Sequence, residues 1–256
     1  MAAFPASRQR VPGRARARRL VGVASALVLT AIAAVPSGAA TSSLTSRGAS
    51  GAWPPIAKWT IVARLVRDAP RYNSATATDR VGTLPSTWQG AASVLPVLSL
   101  TTKRLLVRVA QRPNGQEAWI PIGDARLSRS PYEIVIHLRS THLDLFRLGH
   151  GILSTPIGVG TRKYPTPTGN FFVAFFAAPP SRGYGPFVIV TSGHSNTITN
   201  WQYSGDAMVA IHGPLGADAE IGTTGARVSH GCVRLHVRDL RFLRPVPVGS
   251  PVYIVK

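Results

Sequence analysis

Between Trp53 and Lys256 the apolar residues recur in short runs with a period of two, broken by proline, glycine and asparagine. A run that alternates over four to eight residues suits a strand and cannot present one continuous face on a helix. The first such runs are Trp59-Thr60-Ile61-Val62-Ala63, Leu95-Pro96-Val97-Leu98, Arg104–Val109 and Ala118-Trp119-Ile120, with a hairpin signal at Pro113-Asn114-Gly115. From Tyr132 the pattern sharpens: Ile134, Ile136 and Leu138 fall on one face, and Leu143, Leu145 and Phe146 resume after Arg139-Ser140-Thr141, as in a β-hairpin. Leu153–Val159 and Asn170–Phe176 read as further strands, joined through the turn residues Pro165–Gly169. Phe187–Thr191 and Met208–Ile211 suit buried strands, and Val252–Val255 a closing one. Val237–Leu243 is the one stretch with helical spacing, through Leu240 and Leu243, and Pro245 stops it. The fold class expected is mainly β: a mixed sheet with one or two short helices over residues 130–256, preceded by a small all-β module over 53–128.

The ends of the chain carry different signals. Residues 1–40 hold six arginines and no acid, then an uncharged apolar run of 16 residues, Leu20–Val35, then small residues from Pro36 to Ala40. A basic start, an apolar middle and a small-residue end form the pattern of a secretory signal. The run is short for a membrane helix, which needs about 20 residues, so a cleaved signal is expected, with an uncleaved anchor as the alternative. Residues 41–52 read as a Ser/Thr/Gly/Ala linker. The chain has 29 basic and 10 acidic residues. Setting aside the six leader arginines leaves 23 against 10, a net of +13. Such a charge favours an anionic neighbourhood, for which anionic cell-wall polymers are the expected partner. The basic residues are scattered as singles, so nucleic acid is not expected.

There is one cysteine. A disulfide framework and a cysteine-cluster zinc site are therefore excluded. Cys232 follows Ser229-His230-Gly231 and precedes Val233-Arg234, and His212-Gly213 lies twenty residues upstream at the end of an expected strand. A free thiol has a pKa of about 8.5 and needs a base near neutral pH. An imidazole can take its proton and later pass it to a leaving amine. Gly231 permits a tight turn, so the N–H groups of Gly231 and Cys232 could face a developing oxyanion. A lone cysteine in an exported chain is exposed to oxidation, which favours a chemical role for Cys232 over an inert buried one. His194 is an outside candidate for the same cleft.

His212-Gly213 followed by Ser229-His230-Gly231-Cys232-Val233-Arg234 resembles the signature of the L,D-transpeptidase catalytic domain, the YkuD-type fold. Thr166-Pro167-Thr168-Gly169-Asn170-Phe171 and Val248–Ile254 resemble two further segments of that family. The resemblance covers about residues 130–256. It implies a β-sandwich-like mixed structure with the cysteine in a cleft beneath a flap, here expected over 177–203. It implies that Cys232 attacks a peptidoglycan stem peptide, releases D-alanine, and passes the acyl group to an acceptor amine in a 3→3 cross-link. His212 matches the general base, the Gly213 carbonyl its orienting partner, and His230 a residue shaping the oxyanion site. Arg234 stands where a substrate carboxylate could be met, the alternative being a salt bridge to Asp239. Ser229 holds His230 or serves the turn. No metal and no organic cofactor are implied. The expected location is the cell envelope and the expected state a monomer. Alternatives are an L,D-carboxypeptidase, a cysteine amidase or endopeptidase of the wall, and a non-catalytic wall-binding protein. The end of the 53–128 module loosely resembles an SH3-like wall module; a β extension packing on the next domain fits equally.

Overall fold

The structure is a computed structural model that describes residues 56–201 and 205–256; the leader and linker expected over 1–52 lie outside the described residues. The N-terminal strands are β1 (Thr60–Leu65), β2 (Ala69–Arg71), β3 (Gly82–Leu84), β4 (Thr87–Trp88), β5 (Ala91–Ala92), β6 (Val94–Leu100), β7 (Arg104–Arg108), β8 (Glu117–Pro121) and β9 (Ala125–Ser130). Five of them form one sheet in the order β8-β7-β6-β1-β9, and β2–β3 and β4–β5 are two short ribbons. After β10 (Tyr132–His137), β11 (His142–Arg147) and β12 (His150–Pro156) come β13 (Val159–Gly160), β14 (Gly169–Ala177), β15 (Val188–His194) and β16 (Met208–His212). The chain ends with β17 (Arg227–Ser229), β18 (Val233–Arg234), α1 (Val237–Leu240) and β19 (Pro251–Val255). Eight of these build a mixed sheet in the order β12-β11-β10-β19-β14-β15-β16-β18. The pairs β10–β19 and β16–β18 are parallel. The fold is mainly β, with helix confined to α1 and single 3-10 turns such as Arg241–Leu243 after it.

Two apolar cores lie side by side. Ile134, Ile136, Leu143, Leu145, Ile189, Ile211, Val233, Leu240, Leu243, Val252 and Ile254 form the larger one. Ala63, Leu65, Leu95, Val97, Leu105, Val107 and Ile120 form the core of the N-terminal sheet. Strand β14 serves both. Its alternate residues Phe171 and Val173 enter the larger core, while Phe172 and Ala174 enter the other. A strand buried on both faces reads as a continuous apolar run, and Phe171-Phe172-Val173-Ala174-Phe175-Phe176 is one.

The turn before β19 completes the junction. Gly249 has φ +88°, and a Cβ there would stand 2.8 Å from Val94 Cγ1 and 3.0 Å from Val62 Cγ1. The hydroxyls of Ser130 and Ser250 meet at 2.6 Å inside the same seam. Strand β9 gave no sequence signal: Ala125–Ser130 carries two arginines and two serines, and its middle four residues are exposed, as suits an edge strand.

Phe172 is fully buried where the two cores meet. Phe172→Ala should cost about 3–5 kcal/mol. Urea unfolding followed by fluorescence checks this; a loss under about 1 kcal/mol would mean that β14 does not join the cores.

Candidate active site

The site begins with the parallel ladder of β16 and β18, where Ile211 pairs with Val233 and His212 with Arg234. Side chains alternate along a strand, and in-register residues share a face. Ile211 and Val233 are fully buried in the larger core. His212 and Arg234 therefore point to the opposite face, and Cys232, two residues before Arg234, points there with them. The expected base and thiol thus come to one face of one strand pair.

The turn carrying the thiol is held from below. Ser229 Oγ donates to the Cys232 carbonyl at 2.5 Å and accepts from the Gly231 N–H at 3.1 Å. Thr166 Oγ1 donates to the Gly231 carbonyl at 2.9 Å and accepts from Gly160 N at 2.8 Å. Ser229 is thus a turn residue, and it ties Gly231 rather than His230. The Gly231 N–H, expected to face an oxyanion, is taken by Ser229. Gly231 itself has φ +120°, a conformation in which a side chain is strained.

Gly213 is required by close approach. A Cβ there would lie 2.8 Å from Gly185 N and 2.9 Å from the Gly183 carbonyl oxygen. Its N–H donates to the Tyr184 carbonyl at 2.8 Å, and the Tyr184 ring packs on the His212 ring at 4.6 Å between centroids. Tyr184 thus forms one side of the seat of His212.

His212 is buried, and its Nδ1 stands 2.8 Å from the Gly213 carbonyl. A carbonyl only accepts, so Nδ1 carries the proton and the neutral ring keeps Nε2 as its basic atom. Burial pushes the imidazole down to about 4, against the Gly213 carbonyl and with the help of the Arg234 guanidinium. Burial pushes the Cys232 thiol up, against a hydrogen bond from the Ala210 backbone and the field of Arg234. Both members are therefore neutral at pH 7. Arg234 pairs with no acid among the described residues, and its buried Nε has no hydrogen-bond partner. The salt bridge to Asp239 weighed from sequence is not formed: that carboxylate accepts from Thr155 Oγ1 at 2.8 Å and lies 3.4 Å from Arg238.

His230 is exposed, between the rings of Tyr164 at 4.8 Å and Trp201 at 5.4 Å. It forms the rim of a cleft of about 290 Å³ lined also by Cys232, Gly231, Trp201, Met208, Asp206, Ser195, Phe175 and Gln89. Gln89 comes from the N-terminal part of the chain, a contribution that local sequence patterns did not signal. The expected flap over 177–203 is not continuous, because the buried strand β15 runs through its middle. Within it, Tyr184 and Trp201 meet His212 and His230, and Tyr203 lies outside the described residues. His194 is buried against Asp206, with Nδ1 2.7 Å from Oδ2.

Residues 131–254 match the family model of the YkuD L,D-transpeptidase catalytic domain. A Bacillus licheniformis protein provisionally named L,D-transpeptidase YkuD is 28% identical over 141 residues, covering 55% of this chain and 74% of that protein. Among solved structures, an L,D-transpeptidase from Mycobacterium smegmatis aligns with TM-score 0.41 and 17% identity over 62% of this chain and 80% of that one. A mutant Enterococcus faecium L,D-transpeptidase aligns with TM-score 0.38 and 22% identity over 48% of this chain. The match spans about half of the enterococcal chain, 49%.

The depressed pKa of His212 sets a pH dependence. The unfolded imidazole titrates near about 6.5, so between pH 6.5 and 4 the unfolded chain takes up a proton that the folded chain refuses. Stability is present above this window and is lost as pH falls through it. Between pH 7.5 and 4.5 the wild type should lose about 2.5 kcal/mol more than His212→Gln in urea unfolding. Equal losses in the two proteins would show that His212 is not held neutral.

Proposed function

We propose that residues 131–254, which match the YkuD L,D-transpeptidase catalytic domain, form a catalytic domain of that kind, and that Cys232 is the nucleophile of a peptidoglycan L,D-transpeptidase. The observation that carries the reading is the shared face of Cys232 and His212, with the imidazole fixed through Nδ1 on the Gly213 carbonyl.

A neutral thiol beside a neutral imidazole favours general-base activation over a preformed ion pair. His212 Nε2 takes the thiol proton as sulfur attacks the carbonyl joining the third-position diamino acid to the terminal D-alanine. The tetrahedral oxyanion collapses, the C–N bond breaks, and the same proton passes to the departing amine. A thioester remains. An acceptor amine then attacks that thioester and restores the thiol, giving a 3→3 cross-link; water in its place gives carboxypeptidase activity. Arg234 lies close enough to act on both reacting groups, and its positive charge favours the thiolate and the oxyanion. His230, with Tyr164 and Trp201, forms the wall against which the stem lies. The leader pattern and the net +13 of the remainder support export and residence among anionic wall polymers.

Incubation with a stem tetrapeptide followed by intact-mass measurement tests the reading. Wild type should gain the mass of the peptide less D-alanine, Cys232→Ala should gain nothing, and His212→Gln should acylate at least about a hundredfold more slowly. Chromatography of treated wall material then separates transfer from hydrolysis. Folded wild-type protein without an adduct on Cys232 would overturn the assignment.

A further inference from the structure

The cleft beside Cys232 has a wall that does not stand unaided. After β15 the chain leaves the sheet, and residues 195–201 and 205–207 follow without strand or helix. Ser195, Ile198, Trp201 and Asp206 of this stretch line the cavity. The groups that hold it come from the loop between β7 and β8.

The Arg112 guanidinium makes three directed contacts with this stretch. Nε lies 2.7 Å from Asp206 Oδ1, Nη1 donates to the Ser195 carbonyl at 2.8 Å, and Nη2 donates to the Ile198 carbonyl at 3.0 Å. Two residues on, the Asn114 carboxamide pairs with the backbone of His194 as a neighbouring strand would. Its Oδ1 accepts from His194 N at 2.8 Å, and its Nδ2 donates to the His194 carbonyl at 2.7 Å and to Asn196 Oδ1 at 3.2 Å. His194 is buried, and its Nδ1 lies 2.7 Å from the second oxygen of Asp206. Asp206 is thus gripped from both sides, and its carbonyl accepts from the Trp201 N–H at 2.9 Å. Trp201 in turn packs on His230.

We propose that the N-terminal module is a working part of the substrate site, with Arg112 as a positioning residue, assisted by Asn114, that holds the wall formed by residues 195–201 and 205–207 in the shape that receives the stem peptide. The inference rests on the reading that this cleft takes that peptide. Arg112 touches no reacting atom; it acts through the wall. Its planar fork is what the place demands. One carboxylate and two carbonyls approach from different directions, and three fixed N–H vectors meet them where a lysine ammonium on a flexible stem cannot span all three. Displacing a substrate-positioning surface by about 1 Å can cost up to a hundredfold in rate. A loosened wall acts first on binding, because the thiol, base and Gly213 carbonyl sit on a different strand pair.

The test uses the full chain and compares wild type with Arg112→Ala and Arg112→Lys. Hydrogen exchange by mass spectrometry should show amides of 195–201 exchanging about tenfold faster in both variants, with β10 and β11 unchanged. In D-alanine release from a stem tetrapeptide, KM should rise about tenfold while kcat stays within about twofold. Alkylation of Cys232 by iodoacetamide, which needs no wall, should keep its wild-type rate. Tetrapeptide binding to Cys232→Ala, measured by calorimetry with and without Arg112→Ala, should weaken by about the same tenfold factor. Unchanged exchange in 195–201, unchanged KM, wild-type behaviour of Arg112→Lys, or a parallel fall of alkylation and melting temperature would each overturn the proposal. If wild type binds the tetrapeptide but releases no D-alanine, the transpeptidase reading falls; the brace then stands or falls on exchange and binding alone.

Discussion

Strand β14 gives its odd and even side chains to different cores. Phe171 and Val173 complete the apolar interior of the eight-stranded sheet; Phe172 and Ala174 complete that of the N-terminal sheet. Side-chain alternation with a period of two makes one strand a shared wall. On its flank β14 pairs with β15, β15 with β16, and β16 with β18. The strand that carries His212 is therefore fixed through two ladders, and the strand that carries Arg234 through three, to the strand that serves both cores. Hydrogen bonds alone would set spacing. The double burial of β14 also sets register, since a slip by one residue would exchange the contents of both cores.

That arrangement explains why the N-terminal strands belong with the site. The face of β14 that they cover would otherwise expose Phe172, and the same packing brings Gln89 and the Arg112 loop to the cleft. Residues far apart in the chain thus meet around Cys232, each delivered by a strand end or a loop beside a strand end. Loops at the ends of rigid strands are where function-bearing groups are held most cheaply in terms of buried backbone.

The sequence made some of this legible and hid the rest for physical reasons. Strands with one buried face announce themselves by alternation, so Tyr132–His137 and His142–Arg147 were read nearly to their ends. The hexapeptide around Cys232 and the pair His212-Gly213 were legible because a lone thiol, two imidazoles and glycine at the turn are an uncommon combination. Ala125–Ser130 was invisible because an edge strand buries almost nothing and carries no pattern. The flap was read as continuous because Gly, Pro and Ser surround β15 on both sides, although Val188–His194 is buried throughout. Arg112, Asn114 and Gln89 were out of reach altogether. Their contacts lie 80 residues or more away for Asn114 and Arg112, and nothing in a hairpin loop states what will pack against it. Arg234 was half legible: its place after the cysteine was plain, but the competitor for it, Asp239, was removed by Thr155, a partner 84 residues away.

The electrostatics of the site follow from burial acting oppositely on an acid and a base. Removing water raises the thiol and lowers the imidazole, so each stays uncharged, and the formal charge that acts on both is the Arg234 guanidinium. In the proposed reaction, proton transfer from Cys232 to His212 creates a negative and a positive charge together. Arg234 favours the first and opposes the second, so its net effect on that step is small. Once sulfur has attacked, the negative charge moves to the substrate oxygen. An unpaired, partly buried cation interacts more strongly with charge in a water-poor site than in solvent. Its stabilisation then grows as the reaction proceeds from thiol to oxyanion, which is the condition for accelerating the chemistry instead of merely binding the ground state. In that proposed reaction an Arg234 neutralised by Asp239 would lose most of that difference; Asp239 is held instead by Thr155 and Arg238.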